Sequence, residues 1–325
     1  MTARSPWPLR LLVGALVLAG LSVLGSTWFA HRLMVSVLTA TAFASAEGPA
    51  PGNAPSDPLA IGYRGTPEQA FGLAFEEVSV ATPLGPAPAW LVPAKPGPVG
   101  ESGRAAIYLH GIGGAREDGY PYLPALHEAG LPVLMMTYRH DAGAPPAPGG
   151  LRQMGLTEWE DLEAAVALMQ ARGHDRIVLV GASMGGGIVG QFLARSPRAT
   201  AVEALVLDAP ALDFPMVMRH VTDRLGLPLR SIGVRLAVPA FAISHGVNMA
   251  EARSIAAVAA FDGPVLLIHG AADRVVPDRI SLAVLAARQG QTTVLRTSAD
   301  HLQSHRTAPE KFDRVLRDFL ASLPR

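Results

Sequence analysis

The chain has 325 residues and no cysteine; 27 basic side chains balance 27 acidic ones, and 49% of its residues are hydrophobic. This length suffices for one well-packed domain of the larger α/β kind with an appended segment. A formal net charge of zero provides no basic surface, so a nucleic acid is excluded as a partner. The lack of cysteine excludes disulfides, thiolate metal sites and a cysteine nucleophile, so covalent chemistry would need an oxygen or nitrogen nucleophile or a bound cofactor.

The first 46 residues differ in composition from the rest. The stretch 11–30 has no charged side chain and is about as long as a helix that crosses a hydrocarbon core. We therefore predict a membrane anchor within 1–46. Two alternatives stay open: a cleaved secretory signal, with its best small-residue site at 42–46, and a buried core helix.

The charges around this stretch predict its orientation. Arg4 and Arg10 precede it, which favours a cytoplasmic N-terminus and a single-pass anchor with the catalytic domain outside the cytoplasm. Cleavage would make the protein secreted. The stretch 47–60 is rich in Pro, Gly and Ala and predicts a flexible linker to a domain over 61–325.

Beyond the linker, short apolar runs alternate with helical patterns. Continuous apolar runs are typical of parallel strands that are covered by helices on both faces, so the pattern predicts an α/β fold with an open, mostly parallel sheet. An antiparallel hairpin with a turn at 83–88 opens the sheet, and Thr157 is expected to cap the helix at 157–172, whose acidic side chains are expected to be solvated or capping. The predicted strands are 76–82, 89–93, 105–110, 132–138, 176–181, 203–209, 264–270 and 292–297.

The stretch "GASMG" at 181–185 follows a predicted strand and precedes an apolar helical run. A serine between glycines in this context suits a nucleophile on a sharp turn, near the free N–H groups of a helix N-terminus. Ser183 is therefore the candidate nucleophile. The alternative is an ordinary serine in a glycine-rich loop.

Acyl transfer also needs two backbone N–H groups that face the developing oxyanion. One is expected next to the nucleophile, at Met184, and one in the loop "LHGIGG" at 109–114, at Ile112. His110 lies in the same loop, where we expect it to shape the loop by hydrogen bonding; its use as the catalytic base is the alternative.

The candidate acid and base follow the last two predicted strands. Asp273 lies in "HGAADRVVP", and His301 in "SADHLQSH". A carboxylate at a strand end can orient a histidine that takes the proton of the nucleophile. Asp208 is the rival acid, and His305 is the rival base.

These motifs resemble those of the α/β-hydrolase family, and within it the membrane-anchored serine hydrolases of the Bem46-like type. The resemblance covers 57–323 and rests on "YLHGIGG", "GASMGG", "GAADRVVP" and "DHLQSHRTAPEKF". It implies an α/β-hydrolase fold and favours His301 over His305. One departure is Asp300, which precedes His301 where a small residue is common.

The segment 211–258 is too long for a simple connection and predicts a helical lid over the serine. Its large apolar residues are ordinary core or substrate contacts, and they are Phe214, Met216, Met218, Leu225, Leu227, Phe241 and Ile243. His220 and His245 lie in the lid without the spacing of metal ligands, so neither metal nor cofactor is expected.

The combined prediction is a carboxylesterase-, lipase- or thioesterase-like hydrolase with the triad Ser183, Asp273 and His301. Its expected partners are a small ester or acyl substrate and the membrane; the anchor and apolar lid together favour lipid-like acyl chains. Two alternatives remain: an aminopeptidase or amidase on the same residues, and a non-catalytic membrane-tethered binding module.

Overall fold

The computed structural model describes residues 7–39, 55–60, 62–95, 103–226 and 229–324. The predicted cleavage site at 42–46, most of the predicted linker and Leu227 lie outside these residues.

Within the described residues an eight-stranded sheet has the order β1-β2-β4-β3-β5-β6-β7-β8. The strands β1 and β2 pair antiparallel, β2 pairs antiparallel with β4, and all other pairs are parallel. This is the predicted open, mostly parallel sheet. Its strands are β1 (Glu76–Thr82), β2 (Gly85–Val92), β3 (Arg104–Leu109), β4 (Val133–Met136), β5 (Arg176–Ala182), β6 (Val202–Asp208), β7 (Val265–Gly270) and β8 (Thr292–Thr297).

Helices cover both faces of the sheet. Successive side chains of each strand point to opposite faces, so Ile107 packs into one apolar core and its neighbour Tyr108 into the other. In chain order the helices of the described residues are α1 (Trp7–Leu38), α2 (Pro67–Phe71), α3 (Leu123–Glu128), α4 (Trp159–Ala171), α5 (Met184–Arg195), α6 (Phe214–Arg224), α7 (Arg230–His245), α8 (Ile255–Ala260), α9 (Arg279–Ala287), α10 (Ser304–Thr307) and α11 (Pro309–Ala321).

The opening hairpin is tighter than predicted. The strand β2 begins at Gly85, opposite Thr82, so the predicted turn at 83–88 is too long. Pro88 is part of β2, and its carbonyl accepts the backbone N–H of Thr137, beyond the paired part of β4. Pro88 has no N–H to donate on that side, and the regular pairing of β2 with β4 ends at Ala89 and Met136.

The helix predicted at 157–172 is α4, but its start was predicted wrongly. Thr157 does not cap it, since its hydroxyl is buried and has no partner in the described part of the chain. The carboxylate of Glu158 instead accepts the backbone N–H groups of Gln153 and Gly155, which orders the preceding loop. The expectation that the acidic side chains of this helix are solvated or capping is wrong for Glu158 and Asp161, which are both buried.

Asp161 is fully buried and binds Arg139. The guanidinium of Arg139 donates two hydrogen bonds of 2.8 Å to the Asp161 carboxylate. This pair ties α4 to the loop after β4. Pattern alone could not reveal it, because the two residues belong to different elements.

The segment between β6 and β7 contains α6, α7 and α8. The last half of α1 packs along α7, whereas α8 packs against α5 and α9 beside the sheet. The predicted lid at 211–258 therefore consists of two helices near α1 and the start of a third that covers the sheet.

Candidate active site

Ser183 lies on the sharp turn between β5 and α5, with φ 50° and ψ −115°. This backbone conformation is strained for a residue with a side chain. The two flanking glycines allow the close approach that the turn requires. A Cβ atom on Gly185 would lie 2.2 Å from the carbonyl oxygen of Leu109, and one on Gly181 would lie 2.9 Å from the backbone of Gly185.

Three side chains from separate loops form a hydrogen-bonded row at the carboxyl edge of the sheet. Ser183 Oγ lies 3.0 Å from His301 Nε2, and His301 Nδ1 lies 2.7 Å from Asp273 Oδ2. Ser183 follows β5, Asp273 follows β7 and His301 follows β8. The structure thus brings together the three residues that the sequence singles out as nucleophile, acid and base.

The surroundings of Asp273 favour its ionised form. Burial alone raises its pKa, but hydrogen bonds from His269 and His301 hold the pKa well below its usual range. The other carboxylate oxygen accepts the backbone N–H groups of Val275 and Val276, each at 2.8 Å. An ionised Asp273 accepts a hydrogen bond from the N–H at His301 Nδ1, which leaves Nε2 as the acceptor for the Ser183 hydroxyl.

His269 is a neighbour of the acid that the sequence analysis missed. Its Nε2 lies 3.0 Å from the carbonyl oxygen of Val276 and 3.5 Å from Asp273 Oδ2, and its Nδ1 lies 2.7 Å from Ser281 Oγ. His269 therefore ties the acid loop to α9. Its place at the end of the buried strand β7, four residues before Asp273, was the available signal.

The loop after β3 passes directly beside the serine. A Cβ atom on Gly111 would lie 3.1 Å from Ser183 Cβ. In the described part of the chain, the backbone N–H groups of Ile112 and Met184 have no hydrogen-bond acceptor. Two such donors flanking a nucleophile can receive an oxyanion.

His110 is fully buried away from the hydrogen-bonded row. Both of its ring nitrogens face acceptors, Nδ1 at 2.8 Å from Gly111 O and Nε2 at 2.9 Å from Asp141 Oδ2, and its ring stacks on Tyr138. Burial alone lowers its pKa, but Asp141 raises the pKa above the usual value. His110 thus orders the loop that contains Ile112.

The rival residues have other partners. Asp208 accepts the Tyr122 hydroxyl at 2.7 Å, and its other oxygen is buried without a partner in the described residues. Burial raises the pKa of Asp208 to about 6. His305 Nε2 lies 3.0 Å from the carbonyl oxygen of Leu59, away from Ser183.

Asp300, which precedes His301 where a small residue is common, joins the loop of Asp273 to the loop of His301. It accepts the backbone N–H of Arg274 at 2.9 Å and that of His301 at 2.8 Å, and it pairs with the Arg274 guanidinium. Burial alone raises the pKa of Asp300, but these bonds hold the pKa below its usual value.

A histidine of the lid contacts the backbone of the candidate acid. His220 Nε2 on α6 lies 3.0 Å from the backbone carbonyl oxygen of Asp273. Among the described residues no group of three or more His, Asp or Glu side chains could hold a metal ion.

The topology, the strained serine turn and the hydrogen-bonded row define a protein with the α/β-hydrolase fold. The family model for this fold matches residues 107–227 of the chain. That range includes the loop after β3, the serine turn and α6.

Two uncharacterized bacterial proteins are similar to this chain in sequence. The uncharacterized protein YfhR of Escherichia coli K12 is 25% identical over 219 residues, which cover 66% of this chain and 69% of YfhR. The uncharacterized protein Rv2307c of Mycobacterium tuberculosis is 30% identical over 192 residues, which cover 58% of this chain and 59% of Rv2307c.

Two solved structures share the fold at low sequence identity. The Pyrococcus furiosus esterase Pf2001 superposes with a TM-score of 0.60 at 20% identity, covering 83% of this chain and 99% of that one. XC6422 of Xanthomonas campestris, described as an α/β serine hydrolase without lid, has a TM-score of 0.53 at 20% identity and covers 77% of this chain and 96% of its own.

Proposed function

We propose that this chain is a serine hydrolase that cleaves carboxylic esters or thioesters through an acyl-enzyme. The observation that carries the proposal is the row of hydrogen bonds from Ser183 Oγ through His301 to Asp273, at 3.0 and 2.7 Å. Such a row activates a hydroxyl that is otherwise a weak nucleophile.

The chemistry follows from the direction of these bonds. Ser183 Oγ attacks the acyl carbon while its proton moves to His301 Nε2, and Asp273 stabilises the imidazolium that forms. The backbone N–H groups of Ile112 and Met184 bind the oxyanion. His301 then protonates the leaving alcohol or thiol, and a water molecule, activated by the same histidine, releases the acid.

Comparison with named esterases favours ester over amide substrates. Pf2001, which has the same fold, is an esterase by its description. An aminopeptidase or amidase would use the same triad, so the assay below includes an amide substrate.

The test uses the full chain in detergent micelles, because α1 packs on the lid. Hydrolysis of p-nitrophenyl esters from acetate to palmitate is compared with hydrolysis of aminoacyl p-nitroanilides, for the unaltered protein and for Ser183→Ala. We expect ester hydrolysis that falls by at least about 10³-fold in Ser183→Ala. A folded protein whose ester activity survives this substitution would refute the proposal.

A fluorophosphonate probe separates an enzyme from a binding module. The probe is expected to label the unaltered protein and not Ser183→Ala, while His305→Ala, which alters the rival base, keeps its label. Labelling that persists in Ser183→Ala would mean that Ser183 is not the nucleophile. Loss of labelling in His305→Ala would mean that His305, rather than His301, is the base.

We also propose that α1 is an uncleaved single-pass anchor that holds the catalytic domain outside the cytoplasm, as in the Bem46-like type. Residues Leu9–Leu38 are long and apolar enough to cross a membrane, and few of them are buried. Ala30, Met34 and Leu38 pack into the core with α7, so cleavage at 42–46 would strip apolar contacts from the folded domain. The mass of the mature protein and its resistance to alkaline extraction test retention of the helix.

A further inference from the structure

The two halves of α1 have different surroundings. From Trp7 to Trp28 its large side chains are exposed, and the two tryptophans themselves are 68% and 66% exposed. At 1.5 Å per residue they lie about 32 Å apart along the helix. A bilayer's hydrocarbon core is about 30 Å thick, with tryptophan enriched at both boundaries. Trp28 therefore marks the boundary nearest to the folded domain.

The lid helix α7 is attached to α1 at this boundary. Gly233 packs so closely against Ser26 that a Cβ atom on it would lie 2.7 Å from Ser26 Cβ. Near its other end, Ser244 Oγ lies 3.0 Å from His31 Nε2. The stretch of α1 from Ser26 to His31 rises only about 7.5 Å. Both ends of α7 thus lie close to the level of Trp28.

The outer face of α7 is apolar and has no protein partner among the described residues. Ile232, Leu236, Pro239 and Ile243 are spaced by four, three and four positions, so they form one stripe along the helix. Ile232 is 45% exposed, Leu236 46% and Ile243 88%. Leu225, just after α6, and Leu229, just before α7, are also exposed.

Basic side chains accompany this surface. Arg224 at the end of α6 and Arg235 beside the stripe are both exposed. An amphipathic helix with such flanking charges is typical of one that lies in a membrane interface, with its apolar side about 5–10 Å into the boundary between headgroups and acyl chains.

We propose that the lid is a membrane-contact surface, in which the stripe Ile232, Leu236, Pro239 and Ile243 is immersed in the bilayer interface beside α1. The occupant of this apolar face is lipid because the face is continuous with a helix that the same bilayer surrounds. This inference rests on the proposed anchor. The helix α1 then acts as more than a tether, since its contacts with α7 fix the depth and orientation of the lid.

The inner side of the lid connects this surface to the site. His220, on α6, contacts the backbone of Asp273. An entrance beside α6 and α7 would open toward lipid rather than toward bulk water. If the proposed hydrolase function holds, its substrates are esters or thioesters with their acyl chains in the bilayer, taken from the interface without passing through water.

Membrane contact can be tested separately from catalysis. The chain has no cysteine, so a single introduced cysteine carries one environment-sensitive fluorophore. The full chain is reconstituted in vesicles with and without lipids brominated on their acyl chains. Leu236→Cys reports on the stripe, Leu16→Cys on the anchor, and Leu282→Cys is the matched control, because Leu282 on α9 is 47% exposed against 46% for Leu236.

We expect brominated lipid to quench the fluorophore at positions 16 and 236 and to leave position 282 unchanged. If the fluorophore is quenched at position 16 but not at position 236, the lid inference is overturned and the proposed anchor is kept. No quenching at 16 would overturn both. If brominated lipid does not quench the fluorophore at position 236, but fluorophores at this position transfer energy between protein copies in plain vesicles, the occupant is a second copy of the chain. That result would also overturn the lid inference.

An activity test addresses the substrate class. Leu236→Asp is expected to lower turnover of a bilayer-resident long-chain ester at least about tenfold relative to a soluble acetate ester, because a charge resists insertion. Leu282→Asp is the control and should leave this ratio unchanged. An unchanged ratio in Leu236→Asp would overturn substrate entry from the bilayer, whereas a lack of all ester turnover in the unaltered protein would refute the hydrolase proposal instead.

Discussion

His110 Nε2 lies 2.9 Å from Asp141 Oδ2, and this buried pair supports the loop that runs beside Ser183. Asp141 also accepts the backbone N–H of Tyr138 and one hydrogen bond from Arg152. A single carboxylate thus joins the loops after β3 and β4. The position of the proposed oxyanion donor at Ile112 depends on it.

We expect Asp141→Asn to loosen this loop and to lower kcat by about 10–100-fold with little change in KM, because an oxyanion donor is displaced.

The pKa of His110 is raised in the folded protein, so the stability that the pair provides is complete below the usual histidine pKa and is lost as pH rises through the raised value. Asp141→Asn should therefore destabilise by about 3 kcal/mol at pH 6 and by less at pH 9.

Urea unfolding at the two pH values measures this difference. Asp313→Asn is the control, since it breaks an exposed ion pair with Arg317 on α11 and should change stability by less than about 1 kcal/mol at both pH values. An Asp141→Asn effect that is equal at pH 6 and pH 9 would contradict a charged His110.

Asp208 is predicted to be an unfavourable buried acid rather than a catalytic one. Its pKa of about 6 lies above the usual aspartate value of 3.8, so the folded state loses stability as pH rises from about 3.8 to about 6, and the loss is complete above pH 6. Asp208→Asn removes that cost while keeping an acceptor for the Tyr122 hydroxyl. We expect this variant to be about 1–3 kcal/mol more stable than the unaltered protein at pH 8 and about equal to it at about pH 3.

Activity separates Asp208 from Asp273. Asp273→Asn should lower kcat for an ester by about 10⁴-fold, because the amide favours the wrong tautomer of His301. Asp208→Asn should stay within about tenfold of the unaltered protein. If Asp208→Asn were the more damaging substitution in the ester assay, the assignment of the acid would be reversed.

The strained backbone at Ser183 has a measurable cost. Its φ of 50° and ψ of −115° suit glycine far better than any residue with a Cβ atom. Ser183→Gly is therefore expected to be about 1 kcal/mol more stable than Ser183→Ala, with both variants inactive. Thermal unfolding measures the difference.

Ser322 provides the matched pair. Its φ is −81° and its ψ is −9°, so Ser322→Gly should be less stable than Ser322→Ala. If Ser183→Gly is no more stable than Ser183→Ala, the serine turn carries no strain.

The contact between α1 and the lid is predicted to be sensitive to the size of residue 233. Gly233→Leu should separate α7 from α1, because even a Cβ atom there meets Ser26 at 2.7 Å. We expect a loss of about 2–3 kcal/mol, as for overpacked cores. Gly25→Leu is the control, since nothing lies within 4 Å of a Cβ at that position. Hydrogen exchange in micelles should show faster exchange in α7 for Gly233→Leu alone.

The sheet was predictable because its signal is local. The strands β3, β5, β6 and β7 are buried on both faces, and a strand in that position must be a continuous apolar run that is visible without any neighbour. Its edges were less predictable. The hairpin turn depended on how far β1 and β2 stay paired, up to Thr82 and Gly85, and the start of α4 depended on where the carboxylate of Glu158 finds its donors.

The sequence alone predicted an open, mostly parallel α/β sheet and singled out the residues proposed for catalysis, because strand burial and glycine-flanked turns are properties of short segments. The α/β-hydrolase fold was implied by the resemblance of its motifs to that family. Only the tertiary structure decided what those residues contact. Ser183 and His301 are 118 positions apart, and the different surroundings of Asp208 and Asp273 come from Tyr122 and from His269 with His301. It also decided that α1 is exposed along one half and packed on the lid along the other, since no single segment encodes a contact between two distant helices.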